Sequence, residues 1–278
     1  MHSSRSVTPS SRVGRPAISN SYFDTTDGIW FAPTQHARGP WSVDACHAGP
    51  PVALIVRAVE KIAADHQLAR ITVELMVPIP MTGFRVQAEV RRPGRSVTLT
   101  EAEIYDDDRI YARAYATHVR TLENLDVDSA GVDAPILSAA APGPFPVTDA
   151  LHDRASFGSS VEVRYDRESR TAQGGPTTIW LRTLYPILDG EEPSPFQRIA
   201  PLADCGNGIS YNGALGQFSF VNADLTLSLH RPPRGEWFAS RSISHWQKTG
   251  IGLADSELFD VDGAVGRATQ TLLLNRME

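Results

Sequence analysis

Residues 101–120, EAEIYDDDRIYARAYATHVR, and residues 255–276, DSELFDVDGAVGRATQTLLLNR, decide the fold. Laid over each other they place Glu103 on Glu257, Asp106 on Asp260 and Asp108 on Asp262. In both, a strand with period-two polarity runs into an acidic turn and a closing strand follows. Working outward, PIPMTGFRVQAEV (78–90) falls on HRPPRGEWFASRS (230–242), with Gly83 on Gly235. The stretch NADLTLSLHRPPRG (222–235) then reads as a strand of the second copy, with Arg70 in the first copy where Asn222 stands. A unit that occurs twice in the same order predicts two similar bodies packed side by side.

The first copy opens with a helix. In GPPVALIVRAVEKIAADH (49–66), Val52, Ile55, Val56, Val59, Ile62 and Ala63 form one apolar stripe, Gly49 can cap the helix, and Pro50 and Pro51 suit a first turn whose amides lack intrahelical partners. Residues 71–77, 84–92, 95–105 and 109–120 read as strands. In the last of these, Ala112, Ala114 and Ala116 face one way, leaving room for a bulky neighbour. Residues 121–150 carry no period and are rich in Ala, Pro and Gly, which marks a linker. The chain then starts over, with strands at 159–165 and 177–184. A second helix has Ser194 at its N-cap, Pro195 in its first position and Gln197 completing a capping box. Pro201 bends that helix and Cys205-Gly206-Asn207-Gly208 ends it, so Asp204 sits near a distorted helix end. The class is α+β, organised as a tail (1–20), an N-terminal repeat (21–122), a linker (123–150) and a C-terminal repeat (151–278).

Composition excludes several functions. The net charge of −6, with Lys61 and Lys248 the only lysines and arginine supplying the rest of the positive charge, argues mildly against a nucleic-acid binder. No apolar run approaches the ~20 residues of a membrane helix. Two cysteines, Cys46 and Cys205, without CxxC or paired His spacing, predict neither disulfide nor zinc site and fit a reducing, cytoplasmic setting. The Ser/Arg-rich start lacks the apolar region of a secretory signal; a disordered tail suits it better than a transit segment.

Three polar residues interrupt apolar surroundings: Asp204 at the helix end, Asn222 opening a strand after Phe218 and Phe220, and Gln270 between Ala268 and Leu272. A buried carboxylate needs hydrogen-bond partners and amide side chains supply them, so the trio is either a site or a satisfied core network. Cys46 and His47 are adjacent and point apart, which argues against a thiol–imidazole pair; His47 suits a polar contact to a ligand. His230 and His245 read as structural, and the acidic runs at 106–108 and 260–262 as solvated hairpin ends.

The segments CHAGPPVALIVRAV (46–59), VRRPGRSVTLTEAEIYDDDRIYARAYA (90–116), PLADCGNG (201–208), FVNADLTLSLHRPPRGEWFASRS (220–242) and DVDGAVGRATQTLLLNR (260–276) together resemble the acyl-CoA thioesterase II-like family of double hotdog proteins. The resemblance spans roughly residues 40–276 and rests on the order of these segments. It implies a tandem double hotdog, each repeat an antiparallel sheet wrapped around a long helix. It further implies hydrolysis of acyl-CoA by a water held by Asp204, Gln270 and the residue at position 222, without cofactor or metal, in a homo-oligomer. His47 and Gly49 are expected beside the substrate, with amides near Gly49 receiving the oxyanion. The family has Thr or Ser where Asn222 stands, so the alternative is a weak or inactive thioester-binding protein. A hotdog enoyl-thioester hydratase ranks third, because it needs a paired Asp and His and none stands out.

Overall fold

The computed structural model describes residues 19–123, 125–128, 130–147, 154–167, 169, 175–213 and 217–276. Of the expected N-terminal tail, all but Ser19 and Asn20 lies outside these residues. The first half contains strands β1 (Phe23–Asp24) and β2 (Trp30–Pro33), helix α1 (Gly49–Ile62), and strands β3 (Gln67–Leu75), β4 (Phe84–Arg92), β5 (Val97–Tyr105) and β6 (Ile110–Val119). The second contains β7 (Ala141–Gly143), β8 (Val161–Tyr165), β9 (Thr177–Thr183), α2 (Pro195–Ala203), α3 (Gly206–Ile209), β10 (Phe218–Asn222), β11 (Asp224–Leu229), β12 (Phe238–Trp246), β13 (Ile251–Asp260) and β14 (Gly263–Arg276). Strand β7 falls within the stretch expected to link the halves and pairs with β8.

The strands form one antiparallel sheet in the order β1-β2-β4-β5-β6-β3-β11-β14-β13-β12-β9-β8-β7, with β10 beside the far part of β14. Apart from β7, which has no counterpart beyond β1, the order mirrors itself about its middle. Its centre is the β3–β11 seam, where Thr72 faces Thr226 with their hydroxyls 3.0 Å apart. Counterparts keep the offset that relates Glu103 to Glu257: Gln87 pairs with Glu103 as Arg241 pairs with Glu257, and Leu68 pairs with His118 as Asn222 pairs with Leu272. The equivalent of Asn222 is therefore Leu68, and Arg70 answers to Asp224. The repeat expectation missed by two residues because it carried back the spacing of Gly83 to Gly235, whereas the strands on both sides of that turn keep the spacing of Glu103 to Glu257. The stretch 222–235 breaks at Ala223, as β3 bulges at Ala69, so Asn222 closes β10 instead of opening the next strand.

Helix α1 lies against β4, β5 and β3 on one side and α2 on the other. Val52, Ile55, Val56 and Val59 are fully buried as the stripe requires; Ile62 is 39% exposed because the helix ends there. The N-cap is Ala48, with no side-chain cap, and Gly49 is the first helical residue. Gly49 lacks a side chain for a packing reason: a Cβ there would lie 2.9 Å from Cα and O of Pro201, so the two helices touch backbone to backbone. At α2, Ser194 Oγ accepts from the Gln197 amide as expected. The reciprocal half of the capping box is missing, since the Gln197 side chain donates to Glu60. The second helix is short, and α3 follows after Asp204 and Cys205. Gly83 and Gly235, aligned in the sequence, both have positive φ (108° and 77°), which accounts for glycine at each turn.

The acidic turns differ. Asp106 caps its own turn, accepting from the amides of Asp108 and Arg109 and from the Tyr111 hydroxyl. Asp260 is not a solvated hairpin end: its side chain is fully buried and held bidentately by Arg231 at 2.6 and 2.7 Å, with the amides of Arg234 and Asp262 also donating. Burial alone would raise this carboxyl. The guanidinium and the two amides outweigh it and hold the group below the usual carboxylate range.

Candidate active site

Asp204 is the C-cap of α2, in the gap before α3, and is 7% exposed. Three long-range contacts converge on it. Asn222 Nδ2, at the last residue of β10, donates to Oδ1 at 3.2 Å. Gln270 Nε2, on β14, donates to Oδ1 at 3.1 Å and to the Asp204 carbonyl at 3.0 Å. His47 Nδ1, just ahead of α1, stands 3.1 Å from Oδ2. Hence Asp204, Asn222, Gln270, His47 and Gly49, singled out in sequence, meet at one place.

The order of these contacts follows from local structure. Gln270 is clamped from behind, its Oε1 accepting from the Asn207 amide of α3 at 3.2 Å. That approach needs Gly206, where a Cβ would fall 2.9 Å from both Gln270 Oε1 and Ser256 Oγ. His47 stacks on Phe157 (4.1 Å, 26°) and meets the edge of Phe145. The Gly49 amide, expected to receive an oxyanion, donates to His47 Nδ1 at 3.1 Å. Asn222 Oδ1 is buried and has no hydrogen-bond partner among the described residues.

Burial acts on Asp204 and His47 in opposite directions. Burial pushes the Asp204 carboxyl up to about 7, against hydrogen bonds from Asn222, Gly49, Gln270 and Ala48 that favour its charge. Burial also pushes the imidazole down to about 3, so His47 is neutral. Nδ1 has one lone pair, so it accepts either from the Gly49 amide or from protonated Asp204; once Asp204 ionises, the tautomer with Nδ1–H can donate to the carboxylate instead. A carboxyl that ionises near neutrality, buried among amides, suits a general base.

The other sulfur and imidazole candidates separate. Cys46 faces the Pro80 carbonyl and Met81, with burial pushing its thiol up to about 12, so it supplies no thiolate. The sulfur nearest His47 is Cys205, 4.0 Å from Nε2 and also raised by burial. His230 and His245 are exposed. Among the described residues no group of three or more His, Cys, Asp and Glu side chains is arranged to hold a metal, and no helix is long and apolar enough to cross a membrane. The Asp–His pair that the sequence reading did not find is present. Its members lie far apart in the chain and carry no local motif, so only the contact of the two helix ends reveals it.

Family models of the acyl-CoA thioesterase N-terminal domain and C-terminal domain match residues 37–119 and 137–274. The chain belongs to the acyl-CoA thioesterase family. A comparison with curated proteins gives no match. Solved structures match over nearly the full length. One is a conserved protein of unknown function with a hotdog fold from Alicyclobacillus acidocaldarius (TM-score 0.70, 16% identity, 91% of this chain and 96% of that one). Another is a proposed thioesterase II from Thermobifida fusca (0.71, 14%, 92% and 96%). A third is an acyl-CoA thioesterase II from Mycobacterium marinum (0.65, 14%, 92% and 95%). At these identities the likeness is one of fold, and that fold is the hotdog.

Proposed function

We propose that the protein hydrolyses acyl-CoA thioesters at Asp204, and that its halves are two hotdog units in tandem, residues 21–122 and 151–278, joined by 123–150. The observation that carries the reading is the convergence of Asn222, Gln270 and His47 on one buried carboxylate of raised pKa. Ionised Asp204 takes a proton from a water; that water's oxygen bonds to the thioester carbon, the C–S bond breaks, and the proton passes to the departing thiolate, leaving acid and CoA. Asn222 Oδ1, which has an unused acceptor, holds the water's second hydrogen, and Gln270 and His47 fix the carboxylate. Asparagine supplies a donor and an acceptor, as the family's Thr or Ser would, so the site is read as active. A cytoplasmic homo-oligomer belongs to the same reading.

Asp204→Asn is expected to lower free-thiol release from acyl-CoA by about 10²-fold or more. In the wild type, turnover is expected to drop about tenfold per pH unit below about 7, because only the ionised fraction acts as base. Full turnover in the variant would sink the assignment.

The His47–Asp204 contact favours one second reading, hydration of an enoyl thioester, in which water adds across the C=C bond and the C–S bond stays intact. Loss of enoyl absorbance without thiol release would select it.

A further inference from the structure

Asn222 does not stand alone on its strand. Side chains alternate along β10, so Phe218, Phe220 and Asn222 share the face that reaches Asp204, with Phe220 about 7 Å from Asn222. Around the two phenylalanines the fold gathers three more rings. Trp41, from the segment leading into α1, meets Phe220 edge to face at 5.3 Å. Tyr211, after α3, lies 6.0 Å from Phe220 and 4.8 Å from Trp246, which in turn meets Phe218 at 5.9 Å. The Tyr211 hydroxyl is tied to the Phe218 carbonyl and the Trp246 indole N–H to Asn207 Oδ1, so both rings are held in place. Phe218, Phe220 and Trp246 are half-buried and Trp41 is 61% exposed, which leaves an accessible aromatic surface. Two residues beyond Phe220 on the same strand lies the buried Asn222 Oδ1, which has no partner among the described residues.

Resting on the thioesterase reading, we infer that this five-ring surface takes the acyl group of the substrate and selects a flat aromatic acyl thioester over an alkyl one. The geometry supports the acyl side of the substrate. The rings start one pleat from the residue that would hold the attacking water, the distance at which the first ring of an aroyl or arylacetyl group would sit. Aromatic rings gain from offset and edge-to-face contacts in a way that methylene chains do not. The rings come from both halves, so the surface exists only in the assembled chain.

The test measures kcat/KM of the full chain for benzoyl-, phenylacetyl-, acetyl- and hexanoyl-CoA, with Trp41→Ala and Phe220→Leu beside the wild type. Trp41 is exposed, so its variant keeps the fold if that of Phe220 does not. The wild type is expected to prefer the aryl esters, and each variant to lower the aryl-to-hexanoyl ratio roughly threefold to tenfold. A ratio that does not move overturns the inference, as does an equal loss for all four esters, which would assign the rings to the CoA moiety. Calorimetric binding of S-benzyl-CoA against S-ethyl-CoA, two thioethers that cannot be hydrolysed, separates this from the function itself. Tighter binding of the benzyl compound, lost in Trp41→Ala, upholds the aromatic surface even if no thioester turns over; equal binding refutes it.

Discussion

On either side of the Thr72–Thr226 seam the chain builds the same four strands, and each half carries near the end of its helix a carboxylate close to the start of the other helix. In the second half that carboxylate is Asp204, met by His47. In the first it is Glu60, which burial also pushes up, and which accepts from Ser194 Oγ at 2.7 Å and Gln197 Nε2 at 2.9 Å. The strands make the difference. Where β10 and β14 present Asn222 and Gln270, β3 and β6 present Leu68 and Ala116, both buried. An acid at a helix junction is thus common to both halves, whereas among the described residues only the second half addresses that acid with strand amides. This is the basis for expecting a single reactive site per chain.

The comparison can be broken at three levels. The acidic turns give the largest expected effect: Asp260→Ala leaves Arg231 without its fully buried partner and is expected to cost about 3–5 kcal/mol of stability. The first-half counterpart, Asp106→Ala, is expected to shift the denaturant midpoint far less, since its turn faces solvent, and parity between the two would refute the distinction. Gln270→Ala gives the second half the residue of the first. Turnover is expected to fall about 10²-fold, on the order of 2.7 kcal/mol, with the fold retained at some loss of stability, because the buried side chain also pairs the Asn207 amide. An unchanged rate would remove Gln270 from the site. At the seam, Thr72→Val leaves the Thr226 hydroxyl without its partner and is expected to cost about 1 kcal/mol in chemical denaturation without altering turnover.

Much of this was legible in the sequence because sheet strands and an amphipathic helix write themselves as periods of two and 3.6. The repeat, α1 and the strands from Phe84 to Val119 follow from that alone. Asp204, Asn222 and Gln270 stood out as polar residues in apolar surroundings. The break at Ala223 did not, nor did the matching bulge at Ala69, because a bulge changes pairing without changing composition. The burial of Asp260 was hidden as well. Its guanidinium partner lies 29 residues earlier, and an Asp in a turn looks the same whether or not an arginine reaches it. The His47–Asp204 contact depends on two helices touching at Gly49 and Pro201, a distance that no spacing in the chain encodes.

The β3–β11 seam also bears on how the chain holds together mechanically. Ile71, Val73, Leu225 and Leu227 beside it are all fully buried, and the ladder of hydrogen bonds runs through it unbroken. Neither half can peel away without baring two strand edges and the apolar core beneath them. The repeat is a unit of sequence, and the whole chain is the unit of cooperative unfolding.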